Sequence, residues 1–560
     1  MSLKRVWMRV GIAVVAVGSL SLPGAKRSEA QGGEPRSFAI KGAKVVPVSG
    51  PLMEEANVVV SRGIIVAVGK DAAIPGDAWV IEGKGLTVYP GFIDGFTDVG
   101  VGAAEKTGGG GEGNARQQNQ PTSKGPEDRP ATTPWRSAAD EINVSDSRIE
   151  SWRAAGFATV VAAPKGGMFP GQAAVLNLAG DRAGSLVVKA PVAMPVSLQA
   201  PGGFRNYPGS LMGAVAYVRQ VWIDANWSAQ AEAAYEKNPR GVERPRYDRT
   251  NAVLAEALGK HELVLMPGNT SAQIRRSLRL AEEWKLPAVI YGAQMGYEVA
   301  PELAAKKTPV LVDLKWPEAE KDADPEATIP TRTLRFRDKA PSTPAMLEKA
   351  GVKFAFYSGG ITTAKDLLPA VKKAIDAGLS RDAALRALTL SAAEIFGVAD
   401  VLGSIEKGKI ANLVVMDGTA FEKKTKVKMV FVDGRKFEVK EPIRPSEPPK
   451  GDLTGKWTLK YTTPEGDDES VADLVMGSDG TLSGTVSGKR GTTSVFSGYL
   501  SEDKFSFYIN LSIEGNPSDV HFSGTFDGTT MKGTISVIGY SFDFTGTKPG
   551  VAAMKAGGAK

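Results

Sequence analysis

Two carboxylates four residues apart, Asp94 and Asp98, sit at the end of a short apolar run and are the first candidates for chemistry. Oxygen donors of this kind suit a hard cation such as Mg²⁺ or Ca²⁺, and Asn269 and Tyr291 could add further oxygens. The spacing works against a joint site, because positions i and i+4 of an extended strand lie roughly 13 Å apart unless the chain turns sharply. Ser358 is a candidate nucleophile, but it needs a base. The 560-residue chain holds only two histidines, His261 and His521, and no cysteine. That excludes a multi-imidazole metal centre, a thiolate zinc site, a catalytic thiol and a disulfide framework. His261 precedes an apolar run and His521 lies in an alternating one, so both read as structural or exposed residues.

The elements that must position these side chains follow from hydrophobic period. Short β-prone runs fill Phe38 to Val68, with Ser61-Arg62-Gly63 as a hairpin turn. Leu86–Tyr89 then meets Pro90-Gly91, and Phe92-Ile93 ends on Asp94, Thr97 and Asp98, which reads as a buried strand delivering polar groups at its C-terminal end. From Ser147 strands alternate with helical patterns, and the count predicts an eight-stranded parallel α/β barrel of the TIM type. Predicted strands end at Met194-Pro195, at Met266–Asn269, at Tyr291-Gly292, near Leu314, and at Tyr357-Ser358-Gly359-Gly360. Predicted helices include 147–155, Ser210–Lys237, Ser271–Trp284 and 381–397, with a capping-box spacing at Ser391 and Glu394. A charged loop is expected from Leu314 to about 340. Residues 103–146, rich in Gly, Gln, Pro and Thr, read as a flexible insertion. Beyond a Pro-rich linker the pattern changes to short alternating strands, an all-β antiparallel barrel or sandwich. Trp457, Phe496, Tyr499 and Tyr508 there read as core.

Pro90-Gly91-Phe92-Ile93-Asp94, followed by Phe96 and Asp98, resembles the first barrel strand of the amidohydrolase superfamily, of imidazolonepropionase-like composite-domain type. The segment Gly403–Asp417 resembles that family's returning strands, with Asn412 where an Asp is usual. The resemblance implies a (β/α)8 barrel beside a small β-sandwich made by both chain ends. The expected domains are a signal peptide (1–30), sandwich strands (37–88), the barrel (89–397), the returning strands (398–441), a linker (442–450) and the β-module (451–549). The family acts on carbon–nitrogen bonds with zinc or another divalent metal, held by two His after strand 1, Lys or Glu after strand 4, His after strands 5 and 6, and Asp after strand 8. Here those positions carry Phe96 and Asp98, Met194-Pro195, Pro267 and Asn269, Tyr291, and Ser358 or Gly359. No metal and no cofactor is expected. The weak catalytic candidates remain Asp94, Asp98 and Ser358.

Charge and address bound the partners. The formal charge of +6 is concentrated before residue 30; removing that segment leaves about +2, too little for a nucleic-acid or anionic-membrane footprint. Basic residues, an apolar Val10–Leu22 and Ser28-Glu29-Ala30 have the form of a cleaved secretory signal, which places the chain in the periplasm or outside the cell with no membrane span left. Three functions stay open: a non-catalytic homologue that binds a ligand or partners an active paralogue or itself, a hydrolase with a degenerate site, and an envelope-binding protein acting through its C-terminal module.

Overall fold

The computed structural model describes residues 37–102, 129, 131–180, 182–199, 208–319, 328–439 and 447–548, less a few turn positions in the last segment. The leader, residues 103–128, 440–446 and the tail lie outside these residues.

Strands β1 (Ser37–Val45), β2 (Met53–Ser61), β3 (Ile64–Gly69), β4 (Trp79–Glu82) and β5 (Thr87–Pro90) open the chain. The barrel follows as β6 (Phe92–Thr97), β7 (Phe157–Ala162), β8 (Ala173–Asn177), β9 (Val187–Pro195), β10 (Val264–Gly268), β11 (Ala288–Gly292), β12 (Val310–Asp313) and β13 (Phe354–Tyr357). β14 (Leu413–Met416), β15 (Val427–Val432) and β16 (Arg435–Glu438) return to the first group. They form one eight-stranded sheet, β16-β15-β14-β5-β1-β2-β3 with β4 on β1, closed over a core of Phe38, Ile40, Val58, Ile65, Leu413 and Phe431. This is the sandwich built from both chain ends.

The barrel sheet runs β6 to β13 in sequence order. Alternate residues fill its interior: Ile93, Val161, Val175, Ala193, Leu265, Val289, Leu311 and Ala355 are all buried there. Their neighbours along each strand, such as Val160, Met266, Ile290, Val312 and Phe356, face the helical layer. It is a packed core, as short parallel strands covered on both faces require. One strand departs from expectation. β8 pairs antiparallel with both β7 and β9, while the other contacts are parallel. The link from Ala162 to Ala173 carries five Pro and Gly residues and no helix; a parallel crossover needs roughly a dozen residues or more, usually with a helix.

Three further expectations change. Residues 131–146 are packed, not flexible: Thr132 and Ala138 are buried, and bridges join Thr132 to Phe169, Ser137 to Gln172 and Val101 to Ile142. The charged stretch before 340 contains a helix, Thr331–Lys339. The last barrel helix breaks at Thr389 into Arg381–Leu388 and Leu390–Ile395, and the Ser391–Glu394 spacing caps nothing because Ser391 lies inside the second piece. A capping box stands instead at Thr270 and Gln273, where helix Ser271–Trp284 begins.

The C-terminal module is a closed up-and-down barrel of β17 (Gly455–Thr463), β18 (Gly466–Met476), β19 (Thr481–Gly488), β20 (Gly491–Ser501), β21 (Lys504–Ile513), β22 (Asn516–Phe526), β23 (Thr530–Val537) and β24 (Tyr540–Thr547). Closure leaves no sheet edge. Trp457, Phe505, Phe507, Phe522 and Phe544 fill its interior. Of the aromatics expected in the core only Trp457 is there. Tyr499 is half-buried, and Phe496 and Tyr508 stack across β20 and β21, with His521 beside Tyr508 at 4.2 Å between ring centres.

Candidate functional site

The C-terminal ends of β6, β10, β11, β12 and β13 meet at one end of the barrel, and the residues singled out from sequence gather there. Their side chains do different things from those expected. Phe96 packs on Tyr291 and Tyr357, with ring centres 5.2 and 5.9 Å away. The Tyr291 hydroxyl donates to the Val196 carbonyl at 3.1 Å. Burial pushes the phenols of Tyr291 and Tyr357 above their ordinary range. Together the three rings cap the aliphatic stack inside the barrel.

Asp94 is buried and acts as a clasp. One oxygen accepts from the Trp152 indole N–H at 2.9 Å and the other from the Ser358 backbone N–H at 2.9 Å, tying β6 to the end of β13. Burial raises its pKa, while those hydrogen bonds oppose the rise. Ser358 is also buried, and its hydroxyl reaches Thr97 Oγ1 at 3.4 Å. No histidine stands by: His261 is exposed with its Nδ1 3.4 Å from the Lys285 carbonyl, and His521 Nε2 lies 2.8 Å from Ser506 Oγ in the other barrel. Asp98 is held by Arg148 at 2.9 Å and Lys165 at 2.8 Å. It is an ion-pair partner, and it shares no ligand with Asp94.

The remaining positions are equally occupied. Asn269 opens the capping turn, its backbone N–H donating to Gln273 Oε1 at 3.0 Å. Its side-chain oxygen lies where a Cβ on Gly292 would stand, 1.9 Å away. The Pro267 carbonyl accepts from Ser277 Oγ at 2.6 Å. Met194 is fully buried, and Lys189 turns away to the Gly397 carbonyl.

The residue that sequence reading passed over is Asp313, at the end of β12. Its carboxylate accepts from the Lys315 backbone N–H at 2.7 Å and lies 3.4 Å from the Tyr357 hydroxyl. Burial, with a smaller contribution from Asp94, raises its pKa to about 6. Gly359, with φ of +57°, makes room for it: a Cβ there would come 1.9 Å from Asp313 Oδ1. The Gly359-Gly360 pair after β13 was the available signal, since adjacent glycines at a strand end mark a place where something approaches the backbone closely.

The donor set can be tested against a divalent-metal centre. Phe96, Met194, Pro195 and Pro267 offer no side-chain ligand of the required kind, Asp98 is engaged by two cations, and Gly359 has no side chain. Among the described residues no group of three or more His, Cys, Asp or Glu comes together in ligand geometry. The residues present do not fit such a centre.

Comparison with known proteins agrees with the fold. The amidohydrolase family model matches residues 297–443. The crystal structure of an amidohydrolase from Thermotoga maritima MSB8 is similar at 25% identity and a TM-score of 0.59, over 72% of this chain and 100% of that one. A second amidohydrolase structure gives 19% identity and a TM-score of 0.44 over 72% and 99%, and a Xaa-Pro dipeptidase with bound methionine gives 15% and 0.44 over 72% and 100%. No curated protein matches the chain. The chain is similar to amidohydrolases over residues 297–443 and in its fold.

Proposed function

We propose that this chain is a non-catalytic amidohydrolase homologue, exported from the cytoplasm, whose barrel serves binding or assembly and needs no metal or other cofactor. The observation that carries the reading is Phe96 seated between Tyr291 and Tyr357, an apolar plug at the positions where the family's imidazoles converge. A bound water lowered toward neutral pKa by a metal is the reaction's nucleophile in such sites, and among the described residues no group of three or more His, Cys, Asp or Glu comes together to hold that metal. The partner is an active paralogue or a second copy. Among the described residues no helix is long and apolar enough to cross a membrane. The leader reading rests on its sequence alone; N-terminal sequencing of the natural protein should begin near residue 31.

The test is turnover. The full chain, assayed with N-acyl amino acids, dipeptides ending in proline and cyclic amides, with and without added zinc or manganese, should release no product above buffer. Product release that a chelator abolishes would overturn the proposal and restore the hydrolase reading.

A further inference from the structure

The long helix Leu211–Lys237 presents two opposed faces. One of them, from Ala214 to Ala225, buries Tyr217, Val218, Val221 and Trp222 in the barrel's outer core. With about 3.6 residues per turn, the positions diametrically across from that face are 216, 220, 223, 227, 230 and 234. Ala216, Gln220, Ile223, Trp227, Gln230 and Ala234 stand there, and all six are exposed. Trp227 is 68% and Ile223 52% exposed, and Met212, at 84%, continues the row toward the N-terminus. No charged residue interrupts it. The nearest charges beside it are used within the chain: Arg219 pairs with Glu283, and Asp224 with Arg129. Beyond Ala225 the helix buries no residue, so residues 226–237 have no core of their own. A free helix of about twelve residues is marginal in water, and the outer face of a helix on a monomeric protein is ordinarily charged or polar.

The order of the row selects its occupant. From the level of Ala225 it runs Ile223, Gln220, Ala216 one way and Trp227, Gln230, Ala234 the other. A large apolar residue, an amide and an alanine thus recur at equal distances on both sides. A two-fold contact brings residue i of one copy to residue j of the other, and j to i. Two such helices crossing antiparallel at Ala225 set Ile223 on Trp227, Gln220 on Gln230 and Ala216 on Ala234, each pair twice. The glutamine amides can donate to and accept from one another, the outer alanines let the backbones approach, and tryptophan is among the residue types that dominate interface centres. Covering the row on both copies removes on the order of 1,000 Å² from water, near the lower limit of a specific dimer interface. We infer that the chain forms a two-fold dimer through Leu211–Lys237, the occupant of this face being a second copy. The inference rests on the reading of the chain as one that assembles, chooses the second copy over a paralogue, and does not depend on the loss of catalysis.

The experiment is sedimentation equilibrium of the full chain from about 1 to about 100 µM, the range in which a small interface associates. The unmodified chain should be dimeric at the upper end and dissociate on dilution. Trp227→Glu enters a two-fold interface twice and should raise the dissociation constant by about thirtyfold or more, with an unchanged circular dichroism spectrum because the residue is exposed. Trp79→Glu, at an exposed tryptophan of the sandwich sheet, should leave it unchanged. The antiparallel register has its own readout. The chain has no cysteine, so a short bismaleimide reports introduced ones alone. Gln220→Cys and Gln230→Cys mixed in equal amounts should cross-link as the unlike pair, and far less when each is treated alone, because like positions lie about 15 Å apart along the axis. A monomer at about 100 µM, equal weakening by Trp79→Glu, or like-pair cross-linking equal to the unlike pair would each overturn the inference. Turnover measured on the same samples reads the non-catalytic proposal separately: a dimer that hydrolyses an amide sinks that proposal and leaves this one standing.

Discussion

The two ends of the α/β barrel treat buried polar groups in opposite ways. At the N-terminal end of the strands, Asn412 donates to Thr159 Oγ1 at 2.9 Å and Asn177 Oδ1 at 2.8 Å, and accepts from the Asp433 N–H at 2.8 Å. Asn177 in turn donates to Asp433 at 2.7 Å. Barrel and sandwich are thus joined by a network in which each amide is used on both its donor and acceptor sides. At the C-terminal end the polar groups are dispersed: Asp94 clasps two strands, Asp98 sits in an ion pair, Asp313 accepts from the Lys315 N–H, and rings occupy the centre. The difference separates what the fold needs from what chemistry needs. A seam between two sheets fails if one partner is lost, because the remaining groups stay buried and unsatisfied. The strand-end mouth makes no such seam, and its centre is filled by aromatic packing.

Substitutions can break or sharpen this contrast. Asn412→Asp removes both donated hydrogen bonds and sets a carboxylate against Asn177 Oδ1. It should destabilise by about 3 kcal/mol in urea unfolding. Asp313→Asn should act in the opposite direction. Its folded pKa of about 6 lies above the ordinary 3.8, so the native state holds a proton that the unfolded chain releases, and stability falls as pH rises between these values. The variant should gain on the order of 2 kcal/mol above pH 6 and nothing near pH 3; a gain at both pH values would contradict the burial of this carboxylate. Phe96→His should cost about 1 kcal/mol from the lost ring packing and should not confer zinc binding, because its neighbours supply no further imidazole. Asp98→Asn should change stability by less than about 1 kcal/mol, the range of part-exposed ion pairs.

The barrel was readable because Pro90–Asp94 and Gly403–Asp417 are local motifs and because the strand ends follow hydrophobic period. The antiparallel β8 was also visible in principle, since its Gly-rich approach is too short and irregular for a crossover. The packing of 131–146 was not, because Thr132 and Ala138 are buried by contacts with Phe169 and Gln172, residues more than thirty positions away that composition does not register. Of the site, the absent ligands could be counted directly from two histidines and no cysteine. Asp313 was marked only indirectly: a single aspartate at a strand end has no motif, and the Gly359-Gly360 pair forty-six residues later signals a close approach without naming the residue that makes it.

Elemental analysis of the full chain, purified without chelator and then dialysed against excess zinc and manganese, tests the central claim most directly. A mouth closed by Phe96, Tyr291 and Tyr357 should retain less than about a tenth of a metal ion per chain, whereas family centres hold one or two. Retention of about one ion per chain, lost together with any turnover on substitution of Asp98 or Asp313, would contradict it.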